Sequence, residues 1–109
     1  MKRYALTLDL KNDQQLIDEY KALHRKVWPE ILESIKESGI LNMEIYEMKT
    51  RLFMVIDTND EFSFEAKAEK DKQNDKVQEW ENLMWKYQQQ LPNAKPGEKW
   101  VLMENIFEL

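Results

Sequence analysis

The sequence predicts an α+β fold: a split βαβ antiparallel sheet with helices on one face. Three observations carry that prediction. Apolar and polar residues alternate near the N-terminus and again across positions 40–57. Helix-spaced apolar residues follow each of these stretches, and apolar density returns at the C-terminus. The order strand, helix, strand, strand, helices, strand is the ferredoxin-like arrangement. The 109 residues, of which 42% are hydrophobic, fit a single domain spanning 1–109.

From Arg3 to Leu10, Tyr4, Leu6, Leu8 and Leu10 occupy one parity and Arg3, Ala5, Thr7 and Asp9 the other, as in a strand with one buried face. Asn12 or Asp13 can cap the helix that follows, with Leu16, Ile17, Tyr20, Leu23, His24 and Val27 at helical spacing. Trp28-Pro29-Glu30 marks a kink or restart, because proline is tolerated where a helical segment begins. Ile31, Leu32 and Ile35 continue the pattern to about Ser38, and Gly39 ends it. Ile40–Met48 and Leu52–Asp57, divided by Lys49-Thr50-Arg51, predict a hairpin. Thr58 to Asp60 offers N-caps for a short helix reaching Gln73. A stronger helix is expected from Asp75 to Leu91, with Val77, Trp80, Leu83, Met84, Tyr87 and Leu91 in one stripe that Pro92 stops. After a loop from Pro92 to Gly97, Lys99 to Leu109 is expected to form the last strand. A sheet with helices on one face leaves the other bare. Met43, Ile45, Leu52, Met54 and Ile56 give the hairpin an apolar parity, and which parity faces the helices stays open; where the bare face is apolar a second copy is expected to cover it, giving a homodimer of the dimeric α/β-barrel type.

Composition excludes several functions. The chain holds no cysteine, so it has no disulfide framework, no thiolate nucleophile and no cysteine-based zinc site, and a reducing compartment is the simpler expectation. Gly39 and Gly97 stand too far apart to build a phosphate-cradling loop. No apolar run approaches a membrane span and the N-terminus lacks a signal-like stretch, which leads to a cytoplasmic expectation with no membrane partner. A net charge of −5, with basic residues dispersed among acids, disfavours nucleic acid.

Chemistry converges on few residues. His24 is the single histidine and lies one turn after Tyr20, so both project from one helix face and can form an acid/base pair. A lone histidine among apolar neighbours is also commonly a packed or surface residue, so spacing alone leaves both readings open. One histidine gives no His-rich metal site, and the acids show no EF-hand spacing; no metal is expected. Ser34, Ser38 and Ser63 lack nucleophile-elbow glycines. Trp28, Trp80, Trp85 and Trp100 supply flat apolar faces suited either to a core or to the C–H faces of a sugar. Trp80 and Trp85 sit roughly 140° apart around a helix. Trp80 is assigned to the core and Trp85 to the pocket. Asp18, Glu19 and Glu30 are candidates to orient the imidazole, with a solvated face as the alternative.

These residues resemble a family. Glu19-Tyr20, His24 and Trp28-Pro29-Glu30 are similar to the first-helix signature of the L-rhamnose mutarotases, small dimeric ferredoxin-like enzymes that interconvert the α and β anomers of a 6-deoxy sugar. Asn42 with Ile45-Tyr46, Trp85-Lys86-Tyr87 with Leu91-Pro92, and Glu104-Asn105-Ile106-Phe107-Glu108-Leu109 extend the resemblance over nearly the whole chain. It implies that His24 is the proton donor, Tyr20 a substrate-binding tyrosine and Trp85 the second of two adjacent pocket tryptophans. The sequence departs from the pattern twice. Met43 stands where the family has a pocket tyrosine, and Met84 where it has the first tryptophan, so both substrate-binding positions exchange an aromatic ring for a thioether.

The implied reaction moves a proton from the anomeric hydroxyl and delivers one to the ring oxygen, then lets the aldehyde rotate and close. It requires no metal, nucleotide or other cofactor. The partner expected is a small sugar, L-rhamnose or a close relative. Two rival readings use the same scaffold: a small monooxygenase-like or haem-handling enzyme, and a non-catalytic sugar-binding module.

Overall fold

The computed structural model describes residues 1–109. Its elements are β1 (Lys2–Leu10), α1 (Gln14–Leu23), α2 (Pro29–Glu37), β2 (Ile40–Met48), β3 (Arg51–Thr58), α3 (Phe64–Lys72), α4 (Asp75–Trp85), β4 (Gln88–Gln89) and β5 (Val101–Leu102). The sheet is open and antiparallel in the order β2-β3-β1-β4, with β5 also paired to β1. This is the ferredoxin-like fold, with its helices on one face. No helix is long and apolar enough to cross a membrane.

Local chemistry explains the boundaries. Asp13 caps α1, its carboxylate accepting from the backbone N–H groups of Gln15 and Leu16. Of the expected kink or restart, the structure shows the restart, with α1 and α2 as separate helices. Proline bars its predecessor from helical geometry, and Trp28 accordingly sits at φ −56°, ψ 135° with Pro29 in the first turn of α2. Gly39 closes α2 at φ +98°, and a Cβ there would stand 2.8 Å from the Asn59 side chain. The cap of α3 is Ser63 rather than any of residues 58–60, since β3 runs through Thr58. Asn74 caps α4.

Two expectations fail at the C-terminal side. The apolar stripe predicts a helix to Leu91, but α4 ends at Trp85. Tyr87 O accepts from Lys11 N at 2.9 Å, and Gln88 and Gln89 pair with Leu10 and Asp9. The open edge of β1 thus takes backbone groups that another helical turn would have used. The last strand, expected over Lys99–Leu109, is only Val101–Leu102, followed by one bond from Met103 N to Ala5 O at 2.8 Å. Beyond it, Asn105 Oδ1 accepts from Phe107 N, an Asx turn that bends the tail and leaves Ile106 and Phe107 exposed. β4 and β5 therefore share one edge of β1, where a single strand was expected.

The β1 alternation sets the layers. Leu6, Leu8 and Leu10 are buried toward the helices, with Leu52, Met54 and Ile56 of β3 opposite them in register. Register also puts Met43 and Ile45 beside Ile56 and Met54, so all five of these apolar hairpin residues belong to the helix side, which decides the parity that the sequence leaves open. The bare face instead carries Ala5, Thr7, Val55, Phe53, Tyr46 and Met48. Two ion pairs, Arg3–Asp57 at 2.7 Å and Arg51–Asp9 at 2.6 Å, cross it between strands. Leu10, Ile17, Tyr20, Ile31, Leu52, Val77, Trp80, Met84 and Tyr87 form the larger core cluster, and Leu6, Ile40, Met54, Ile56 and Phe62 the smaller. A cavity lies where these clusters meet.

Candidate active site

A cavity of about 790 Å³ opens between the sheet and the helices, within the roughly 300–1,000 Å³ range of small-molecule sites. Met43, Ile45, Met54, Ile56 and Gln88 line it from the sheet. Tyr20 and His24, Ile31 and Ile35, and Val77, Trp80 and Met84 line it from the helices, and Trp100 from the returning chain. Two ion pairs, Lys99–Glu81 at 2.6 Å and Lys67–Asp71 at 2.7 Å, add charge to a mainly apolar wall.

His24 is where α1 stops. Its backbone N–H reaches Tyr20 O at 3.3 Å, and ring Nδ1 lies 2.7 Å from the same carbonyl. A carbonyl only accepts, so Nδ1 carries the proton and the neutral ring keeps its lone pair on Nε2. The ring stands 4.3 Å from that of Tyr20 and 5.7 Å, edge-on, from Trp80, between centroids. Burial among these aromatics lowers the His24 pKa below 6.5, partly opposed by the backbone hydrogen bond. At neutral pH the imidazole is therefore an uncharged base with one free nitrogen.

Tyr20 is buried, and its pKa is pushed up to about 12, chiefly by burial, with the Gln88 hydrogen bond working against the rise. It stays protonated. Gln88 Nε2 donates to its hydroxyl oxygen at 3.1 Å, so the phenol accepts from the protein and keeps its own proton to give. The site thus couples a neutral base to a neutral donor on one helix face, which suits moving one proton off a ligand and another onto it.

The family profile described as L-rhamnose mutarotase matches residues 3–109. The chain belongs to the L-rhamnose mutarotase family. It is a carbohydrate isomerase of the mutarotase type. An L-fucose mutarotase of Xanthomonas campestris pv. campestris is 40% identical over 111 residues, covering 100% of this chain and 89% of that one. Among solved structures, an L-rhamnose mutarotase of Formosa agariphila superposes with a TM-score of 0.74 at 21% identity, covering 100% of this chain and 99% of the other. A dimeric ferredoxin-like protein from an uncultured marine organism gives 0.58 at 12% identity, covering 98% and 96%.

Within this mutarotase scaffold, Tyr20, His24, Met43 and Met84 all line the same cavity. Trp85 does not. Rotated around α4 from Trp80, its half-buried ring lies beneath Lys99 Nζ at 4.7 Å, one layer back from the space that Lys99 lines. Trp80, assigned to the core, is buried in the larger core cluster and is also the helical tryptophan at the cavity wall, stacked edge-on against Trp28 at 5.0 Å. None of the proposed orienters meets the imidazole, because the carbonyl of its own helix already holds Nδ1. Asp18 accepts from Gln14, Glu19 from Gln15 and Tyr87, and Glu30 is exposed. Gln88 and the Lys99–Glu81 pair were not singled out in the sequence. Sign mixing along the chain gave no reason to select the pair, and Gln88 was placed inside a helix that does not extend that far.

Proposed function

We propose that this chain interconverts the α and β pyranose anomers of a 6-deoxyhexose of the L-rhamnose or L-fucose type by His24-assisted proton transfer. The observation that carries the reading is the pinned imidazole. With Nδ1–H held by the Tyr20 carbonyl, the basic nitrogen of a cavity-lining, uncharged histidine is Nε2. In the proposed reaction Nε2 takes the anomeric hydroxyl proton while the bond between C1 and the ring oxygen breaks. The Tyr20 O–H supplies the proton that the ring oxygen gains. Rotation about C1–C2 of the open aldehyde presents its other face, and closure returns both protons.

Apolar Met43, Met84, Ile45 and Trp80 suit the methyl and C–H faces of a 6-deoxy sugar. The sugars for which the related mutarotases are named, L-fucose and L-rhamnose, support this class. Saturation-transfer NMR on L-rhamnose, L-fucose, D-glucose and D-galactose tests it. The expected result is faster anomer exchange for a 6-deoxy-L-hexose than for either 6-hydroxy sugar. Acceleration confined to the 6-hydroxy sugars would overturn the substrate class.

We also propose that the working unit is a homodimer joined through the bare sheet face. Tyr46 (55% exposed), Phe53 (37%) and Met48 (74%) leave a larger apolar surface there than scattered side chains would. The dimeric description of the marine ferredoxin-like neighbour supports the same arrangement.

A further inference from the structure

Gln88 is 3% exposed and lines the cavity, yet its Oε1 has no hydrogen-bond partner. Its Nε2 is occupied by the Tyr20 hydroxyl at 3.1 Å. The orientation with Nε2 on Tyr20 leaves the phenol proton free, whereas the exchanged amide would accept it; in both, Tyr20 is the one protein group that the side chain reaches. One polar end is bare either way. Pairing of Gln88 with Leu10 in the sheet fixes the backbone beneath it. A buried acceptor left bare is costly, and methionine would fill the same length without that cost. A polar group in the wall of the cavity, with one end bare, is suited to a hydroxyl that arrives with the ligand.

We propose that Gln88 is a sugar-hydroxyl receptor. Its free amide end bonds one ring hydroxyl while its other end holds Tyr20 ready for a neighbouring sugar oxygen. This inference rests on the mutarotase reading above. It assigns the polar end of the substrate to the Gln88–Tyr20 pair and leaves the apolar end to Met43 and Met84. Gln88 is then a specificity-determining residue: a site built to bond a hydroxyl rejects the analogue that lacks it, since its buried polar group is stranded again.

The test compares the full-length protein with Gln88→Met. Anomer exchange is followed by saturation-transfer NMR on the best sugar and its monodeoxy analogues, and thermal unfolding is followed without sugar. KM for the parent sugar should rise about tenfold or more in Gln88→Met, the worth of one hydrogen bond. One monodeoxy analogue should bind the wild type about tenfold more weakly than the parent, and that discrimination should vanish in the variant. Ligand-free Tm should change by no more than a few degrees, because the variant removes a bare polar end but also takes away the one partner of the buried Tyr20 hydroxyl. An unchanged KM with the discrimination intact would overturn the inference while leaving the mutarotase reading standing, as would a lowered Tm with unchanged KM. A wild type that accelerates no sugar would overturn both.

Discussion

Replacing Tyr20 by Phe deletes one oxygen at a buried site and strands the group bonded to it. In the native protein Gln88 Nε2 has a single acceptor, the Tyr20 hydroxyl at 3.1 Å, and Gln88 Oε1 has no donor. Tyr20→Phe leaves both ends of a 3%-exposed amide without partners. Stranding a buried neutral group costs about 1–3 kcal/mol, which in a chain of this length is several degrees of Tm. The ring still packs among His24 and Tyr87, so little hydrophobic burial is lost. The double variant Tyr20→Phe/Gln88→Met removes the stranded amide with the hydroxyl and should recover most of that stability, giving a coupling of about 1–2 kcal/mol in a urea double-mutant cycle. Anomer exchange should not recover, because the proton donor to the ring oxygen is gone. A Tyr20→Phe protein as stable as wild type, or a double variant no more stable than Tyr20→Phe alone, would refute the reasoning.

Other predictions follow from the same geometry. Since the His24 pKa lies below 6.5 and the neutral ring is the active form, catalysed exchange corrected for background should be flat above pH 6.5 and fall only at lower pH. A midpoint above 6.5 would contradict the assignment. The stability linkage has the same sign. The unfolded ring binds protons that the folded ring does not, so the His24 contribution is complete above pH 6.5 and declines as pH falls toward the folded value. Asp57, held low by its hydrogen bond from Arg3, and Asp60, held low by the N-terminal ammonium, act in a separate window below pH 3.8, so urea titrations should resolve the two declines. Phe53→Glu places a charge in the centre of the bare sheet face and should convert a dimer to a 13.2 kDa monomer by light scattering. A dimer that persists at the wild-type dissociation constant would rule that face out.

The parts of the fold with strong local signals were legible. Leu6, Leu8 and Leu10 alternate because one face is buried, Asp13 caps α1 and Pro29 can only begin a helix, so β1, α1 and α2 were readable from residues alone. The Tyr20–His24 pair was readable for the same reason, since four residues of helix bring the two rings together. The rest depended on tertiary competition. Tyr87 and Leu91 continue the stripe of α4 and are buried, yet the edge of β1 claims the backbone at residues 88 and 89, and a pair of glutamines carries no strand periodicity. Gln88 was lost with that misplaced helix end. Trp80 and Trp85 differ only in rotation about α4, and their assignment turned on where Lys99 returns. Which parity of the hairpin faces the helices was set by long-range register with β1. The carboxylates near His24 looked suitable on charge, but the cap geometry of α1 had already satisfied Nδ1.

In the proposed mechanism one neutral imidazole moves the anomeric proton. This step is tested most directly by saturation-transfer NMR of anomer exchange in His24→Gln, alongside wild type, on the best sugar at pH 7.5. Sugar binding and the unfolding midpoint are checked in the same samples. The account predicts exchange slower by about 10²- to 10⁴-fold with the sugar still bound. Exchange at the wild-type rate in a folded, sugar-binding His24→Gln protein would contradict it.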